Sequence, residues 1–332
     1  MGSAGICDTR AVVSGAGGFI GSHLAEALLA QGHRVVGIDR RSPDDHPRVA
    51  ANLAGALSDS RFTLVEGDLV DLDLVELLTG STKVFHLAAV PGVRPSWGEE
   101  FEDYARANVL GTHRLLTACK RTGVRRLVYA SSSSVYGLIT GPSRETDTTA
   151  PLSPYGVSKL AGEHLCQAFA GNHGDALSIV MLRYFTVYGP RQRPDMAIQR
   201  MLTAALGGVP FTVFGDASQS REFTYVGDVV DATVAAGVAP VEGAVAVNVG
   251  GGGTVTLREV LGLCGKAAGR PVPLLRSESQ VGDVPLTSAD LSRAQMLLGF
   301  RPRVDLPSGL ARQAAWIRSS SSTALLEQAR FP

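Results

Sequence analysis

Lysine is scarce in this chain. Lys83, Lys120, Lys159 and Lys266 are its only lysines among 31 basic residues, the rest being arginine. A lysine in so arginine-rich a sequence points to a job that arginine cannot do. Cysteine is sparse too. Cys7, Cys119, Cys166 and Cys264 lie far apart with no CxxC pair, which excludes a disulfide framework or a cysteine metal site and fits reduced thiols in a cytoplasmic protein. Charge of one sign is missing: the formal net charge is +0, and no lysine/arginine block occurs. No field therefore draws the chain to nucleic acid or to a membrane surface. Long apolar runs are absent, so no transmembrane helix is expected, and residues 1–9 lack the apolar core of a signal peptide. There is no repeat and no low-complexity segment apart from Ser319–Ser322, read as part of a solvated tail.

What is present is 332 residues, of which 45% are hydrophobic, enough for a large α/β core with or without a smaller lobe. Arg10–Ser14 reads as a short buried strand. Gly15, Gly18 and Gly21 follow as GxxGxxG, and residues 22–29 then take helical periodicity. A strand-to-helix turn of this kind needs a tight bend, close backbone approach to a pyrophosphate and close helix–strand packing. Arg34–Ile38 reads as a second strand ending at Asp39. A carboxylate about 20 residues past the glycine turn accepts hydrogen bonds from ribose hydroxyls and favours NAD over NADP, with Arg40 and Arg41 beside it. The alternation continues through 62–65, 83–87 and 126–130. Each strand ends in small or polar residues, and helices over about 99–121 and 154–171 fill the crossovers. The fold class is α/β: a Rossmann-like doubly wound parallel sheet with a smaller C-terminal substrate-binding lobe. The nucleotide-binding domain is expected over 10–183, with returns from the C-terminal half. The lobe is expected mainly over 184–318, with flexible tails at 1–9 and 319–332. His23, His33, His86, His113 and His164 fall in predicted helices or strands and read as structural.

Tyr155 and Lys159 stand four apart in Pro154-Tyr155-Gly156-Val157-Ser158-Lys159, on one helix face. A cation at that distance favours the phenolate, and a tyrosine so primed takes a proton from an alcohol near neutral pH.

These motifs together resemble the extended short-chain dehydrogenases/reductases that act on nucleotide sugars. The likeness is carried by the glycine turn, Asp39, Gly67-Asp68-Leu69, His86-Leu87-Ala88-Ala89, Asn108, Ser131 to Gly137, and Tyr155 with Lys159. It continues through Arg183 to Arg191, Arg221 to Val229, and Gly282-Asp283. The resemblance implies that Gly15, Gly18, Phe19 and Ile20 hold the pyrophosphate of NAD and that Asp68 and Leu69 flank its adenine. It implies that Leu87, Ala88, Ala89, Asn108 and Tyr184 border the cofactor and that Lys159 also binds the nicotinamide ribose. Ser132, four residues before Tyr136, falls where the family carries a Ser or Thr that hydrogen-bonds the reacting hydroxyl. A homodimer through the helices near 99–121 and 154–171 is likewise implied.

Family members that dehydrate carry an acidic pair after that Ser/Thr, and decarboxylases carry a Glu near it. Ser133 and Ser134 stand there instead, so dehydration lacks its acid–base pair and epimerisation at C4 of a UDP-sugar remains. Thr186, followed seven residues later by Arg193, resembles the UDP-glucuronate 4-epimerases, as does Pro91 to Trp97 with Arg94. Arg193 can grip a carboxylate bidentately, with Ser133, Ser134 and Thr186 adding hydrogen bonds. Oxidising C4 of a glucuronate makes a β-keto acid, so an epimerase must hold that carboxylate out of the geometry that loses CO₂. For the nucleotide, the resemblance implies Thr212 and Val213 at uracil, Arg221 at the diphosphate and Asp283 at the uridine ribose. Gln280 stands where the family often has a second phosphate-binding Arg, and Arg276 is the available substitute. The expected substrate is UDP-glucuronate, with UDP-glucose epimerisation and UDP-glucuronate decarboxylation as the alternatives.

Overall fold

A computed structural model describes residues 9–171, 177–277 and 284–319. In the first half the strands are β1 (Arg10–Ser14), β2 (Arg34–Asp39), β3 (Phe62–Glu66), β4 (Lys83–His86), β5 (Arg126–Ser132) and β6 (Ser178–Tyr184). Between them run α1 (Phe19–Ala30), α2 (Pro47–Leu57), α3 (Leu74–Leu78), α4 (Phe101–Tyr104), α5 (Gly111–Thr122) and α6 (Pro154–Gly171). The second half adds the short strands β7 (Val187–Tyr188), β8 (Phe211–Phe214), β9 (Ser220–Glu222) and β10 (Thr224–Tyr225). After these come β11 (Ala244–Val249), β12 (Thr254–Thr256) and β13 (Leu274–Ser277). Its helices are α7 (Ala197–Gly207), α8 (Val226–Ala236), α9 (Leu257–Ala268), α10 (Ser292–Leu298) and α11 (Leu306–Ser319).

The main sheet has seven parallel strands in the order β11-β6-β5-β4-β1-β2-β3. Side chains alternate between its faces, because the strand period is two. Ala11 and Val13 join the core under α1, α2 and α8, whereas Val12 joins the core under α3, α5 and α6. Both faces are covered, so the middles of the central strands are apolar on both sides. From the second half, β11 pairs with β6 from Ala244↔Ile179 to Val249↔Tyr184. A separate core around Met201, Leu202, Val260 and Leu310 joins α7, α9 and α11 into the smaller lobe.

The helix expected over about 99–121 is interrupted. Between α4 and α5, residues Ala105–Leu110 widen into a π-helical turn, which tucks Asn108 inward at 1% exposure. The tails at 1–9 and 319–332 lie outside the described residues, except that Thr9 is described and Ser319 closes α11.

Candidate active site

A cleft of about 680 Å³ opens where the strand order reverses between β1 and β4, with residues from the strand ends in its wall. Open α/β sheets put their ligands at this reversal. Gly15, Gly18, Phe19 and Ile20 line one end of it, with Asp39, Arg40, Asp68, Leu69, Leu87, Ala88 and Ala89. The other end is lined by Ser132, Ser133, Ser134, Tyr155, Lys159, Tyr184, Thr186 and Arg193.

The first end fits a dinucleotide. Gly15 sits at φ +73°, and a Cβ there would lie 2.7 Å from the Ala88 nitrogen. The turn thus needs glycine both for its backbone sign and for its approach to the end of β4. Gly18 opens α1 without a side-chain cap, leaving first-turn N–H groups available to an anion. The Asp39 carboxylate is 6% exposed and pinned at its base: Oδ2 accepts from Gly17 N at 3.0 Å and Oδ1 from Arg41 N at 3.1 Å. Asp68 is held by Val70 N at 2.8 Å and Arg106 Nε at 3.2 Å. Tyr184 presents its ring, because its hydroxyl is engaged with Thr233 Oγ1 at 2.8 Å.

At the second end, Tyr155 and Lys159 project from the first turns of α6. Pro154 opens that helix, and Ser153 Oγ accepts from Gly156 N at 3.1 Å, which fixes its start. The Tyr155 hydroxyl lies close enough to Ser132 for that side chain to lower its pKa. Ser132 closes β5 and also accepts from Ser134 N at 3.2 Å. Burial raises the pKa of Tyr155, against lowering by the Ser132 hydrogen bond and by the charge of Arg193. The tyrosine is therefore less acidic in this site than the Tyr–Lys spacing alone predicts. Lys159 is 3% exposed, with Nζ 4.5 Å from the Tyr129 ring centroid. Burial brings its pKa down to about 8, against the raising charges of Cys166 and Glu163.

Asn108 is not among the residues lining the cleft: Oδ1 accepts from Val90 N at 2.8 Å, while Nδ2 donates to Val90 O at 3.0 Å and Ser158 Oγ at 2.9 Å. Its amide is fully used in shaping the loop after β4. Arg193 lines the cleft, and its Nε and Nη2 donate to the Asp195 carboxylate at 3.0 and 2.7 Å. Sequence reasoning missed Asp195, although its position two residues after Arg193 in Arg-Pro-Asp was a usable signal. It also missed Tyr104, which supports the loop through Gly92 O at 3.0 Å and packs edge-on to Tyr155 with centroids 6.3 Å apart.

The residues expected at the nucleotide are not among those lining this cleft. Thr212 and Val213 sit in β8 of the lobe, and Arg221 in β9 donates to Ser220 O at 3.0 Å. Arg94 stacks over Phe214 at 5.0 Å. Gln280 and Asp283 lie outside the described residues.

A reversed-order parallel sheet, a glycine turn with its acidic partner, and a Ser–Tyr–Lys set at one cleft define an NAD-dependent enzyme of the extended short-chain dehydrogenase/reductase kind. The chain belongs to the NAD dependent epimerase/dehydratase family, whose model matches residues 11–250. It is 43% identical over 312 residues to the uncharacterized UDP-glucose epimerase YtcB of Bacillus subtilis, covering 93% of this chain and 98% of that protein. MoeE5, solved with UDP-glucuronic acid and NAD, is 45% identical with a TM-score of 0.86, over 94% of this chain and 99% of its own. The UDP-glucuronic acid 4-epimerase of Bacillus cereus, solved with UDP-glucuronic acid and NAD, is 41% identical with a TM-score of 0.89, over the same shares. The cofactor of this chain is NAD.

Proposed function

We propose that this NAD-dependent UDP-sugar 4-epimerase interconverts UDP-glucuronate and UDP-galacturonate. The observation that carries the reading is Arg193, which lines the catalytic end of the cleft with Ser133, Ser134 and Thr186 and lies close enough to Tyr155 to lower its pKa. No acidic side chain stands at positions 133 and 134 to serve dehydration or decarboxylation. The likeness to the Bacillus cereus enzyme supports the same choice.

Bound NAD would supply the acceptor and donor of the C4 hydride. The chain's own residues do the rest. Ser132 and Tyr155 meet the C4 hydroxyl, and Tyr155 takes its proton as general base. Lys159 as a buried cation stabilises the phenolate. Arg193 exchanges its Asp195 partner for the sugar carboxylate and holds the C–CO₂ bond near the carbonyl plane, which blocks loss of CO₂ while the 4-keto sugar turns over. Asp39 holds the adenosine ribose, and the uncapped start of α1 takes the pyrophosphate.

A neutral-sugar reading is favoured by the relative named for UDP-glucose. Incubation with each nucleotide sugar decides. Galacturonate product is expected from UDP-glucuronate, and Arg193→Gln should lower kcat/KM for it by about 30-fold or more, a larger fall than for UDP-glucose. Turnover of UDP-glucose alone overturns the uronate reading, and a pentose product with CO₂ identifies a decarboxylase.

The molecule is proposed to work as a homodimer. Trp97, Phe101, Leu152 and Val157 are exposed around one shallow apolar depression beside α4 and α6. A molar mass twice that of the chain, measured by light scattering, is the expected result.

A further inference from the structure

We propose that Glu163 is a positioning residue for this reaction: it ties α6 to the strand ends that carry Ser132 and Tyr184, and it sets a fixed negative charge one turn from Lys159. The inference rests on the 4-epimerase reading but not on the choice of sugar.

Glu163 is 1% exposed. Its Oε1 accepts from Ser131 Oγ at 2.5 Å and from Arg183 Nε at 2.9 Å, and its Oε2 accepts from Arg183 Nη2 at 2.7 Å. Arg183 is 4% exposed, and its guanidinium lies 4.8 Å from the Tyr136 ring centroid. The β5–β6 register pairs Ser131 with Arg183 and, one step on, Ser132 with Tyr184. Since side chains alternate along strands, Ser131 and Arg183 turn to α6 beside Tyr129 and Met181. The next pair ends in the cleft. One carboxylate thus fixes three elements at the positions adjoining their site residues.

A fully buried ion pair is weak evidence of stabilisation, because desolvating both charges offsets their attraction. Its placement gives it a different use. Helix α6 carries both Tyr155 and Lys159, and Tyr155 must stay beside Ser132 of β5 in the cleft. A slide of α6 along the sheet breaks that contact, and the Glu163 fork opposes the slide with two parallel charge-assisted bonds.

The charge acts on Lys159 as well. The groups facing Lys159 are Cys166 and Glu163 on its own helix, Tyr129 on β5 and neutral His86 on β4. Of these, Glu163 is the only carboxylate. After Cys166, it raises the pKa of Lys159 against burial, while its own partner Arg183 lies over Tyr136.

The test compares Glu163→Gln, the double variant Glu163→Gln/Arg183→Met and Ser131→Ala, each loaded with NAD and assayed with UDP-glucuronate and with UDP-glucose. Glu163→Gln should lower kcat by about 100-fold with KM little changed, the scale of a misplacement of about 1 Å. The alkaline limb of kcat, where Lys159 loses its proton, should move to lower pH by about one unit. The double variant leaves no unpaired buried charge. It should unfold at nearly the wild-type temperature and still show the displaced limb. Ser131→Ala keeps both charges, so it should lower kcat with the limb in place. An unmoved limb in the double variant, or full kcat in both Glu163→Gln and Ser131→Ala, overturns the proposal. Loss of all 4-epimerase activity in the wild-type protein would instead overturn the reading beneath it.

Discussion

At Tyr155 two effects oppose each other. Burial favours the neutral phenol, whereas the Ser132 hydrogen bond and the Arg193 charge favour the phenolate, and burial wins in this site. The base is therefore effective only when the cleft's cations are in place. Removing the hydroxyl removes the base altogether: Tyr155→Phe should lower kcat by about 10²- to 10⁴-fold. Bound NAD should be retained, as read from the cofactor content of the purified protein. Arg193 shows the same dependence on context. Its position in the sequence fits a carboxylate clamp, but its present partner is the chain's own Asp195. The choice of residue was legible in the sequence, whereas its partner was set by a local turn that no periodicity encodes.

Helix α6 is the element on which the site depends. Its start is fixed by Ser153 and Pro154, and its inner face meets β5 at Gly162. A Cβ on Gly162 would fall 2.1 Å from the Tyr129 hydroxyl, so the helix and strand approach only because that side chain is missing. Tyr129 in turn donates to Lys159 O at 3.3 Å and faces Lys159 Nζ with its ring. Gly162→Ala should therefore displace Tyr129 and, with it, Lys159. The expected cost is about 1 to 3 kcal/mol in chemical denaturation, with a fall in kcat larger than any change in KM. Boundaries of α6 and of β1 to β5 were readable from helical period and from short apolar runs, whereas β6 and β11 were not read. The π-helical turn at Ala105–Leu110 was not, because it arises where the Asn108 amide is satisfied by Val90 and Ser158, one of them 50 residues away in sequence.

For the molecule as a whole, the centre of the sheet sets an acid limit on stability. His86 is buried between Ser14 Oγ at 2.8 Å and Thr112 Oγ1 at 2.9 Å. Burial, aided by the charge of Lys159, lowers its pKa from 6.5 to about 3. The unfolded chain then binds more protons than the folded one between those values. The stabilisation from neutral His86 is complete above pH 6.5 and is lost as pH falls towards 3, at up to about 1.4 kcal/mol per pH unit. Thermal unfolding followed from pH 7 to pH 4 should show a steep decline in wild type and a shallower one in His86→Gln. Among the described residues, no helix is long and apolar enough to cross a membrane.

The doubly wound sheet, the glycine turn, Asp39 and the Tyr155–Lys159 spacing were determined by the sequence itself, since each depends on short-range period and chain geometry. Tertiary structure alone decided the acidity of Tyr155, the inward turn of Asn108 and the fork of Glu163 on Arg183. These depend on which groups lose water together and which distant partners then share the same buried volume. Burial and pairing follow from the packed chain as a whole, and a local pattern of residues does not contain them.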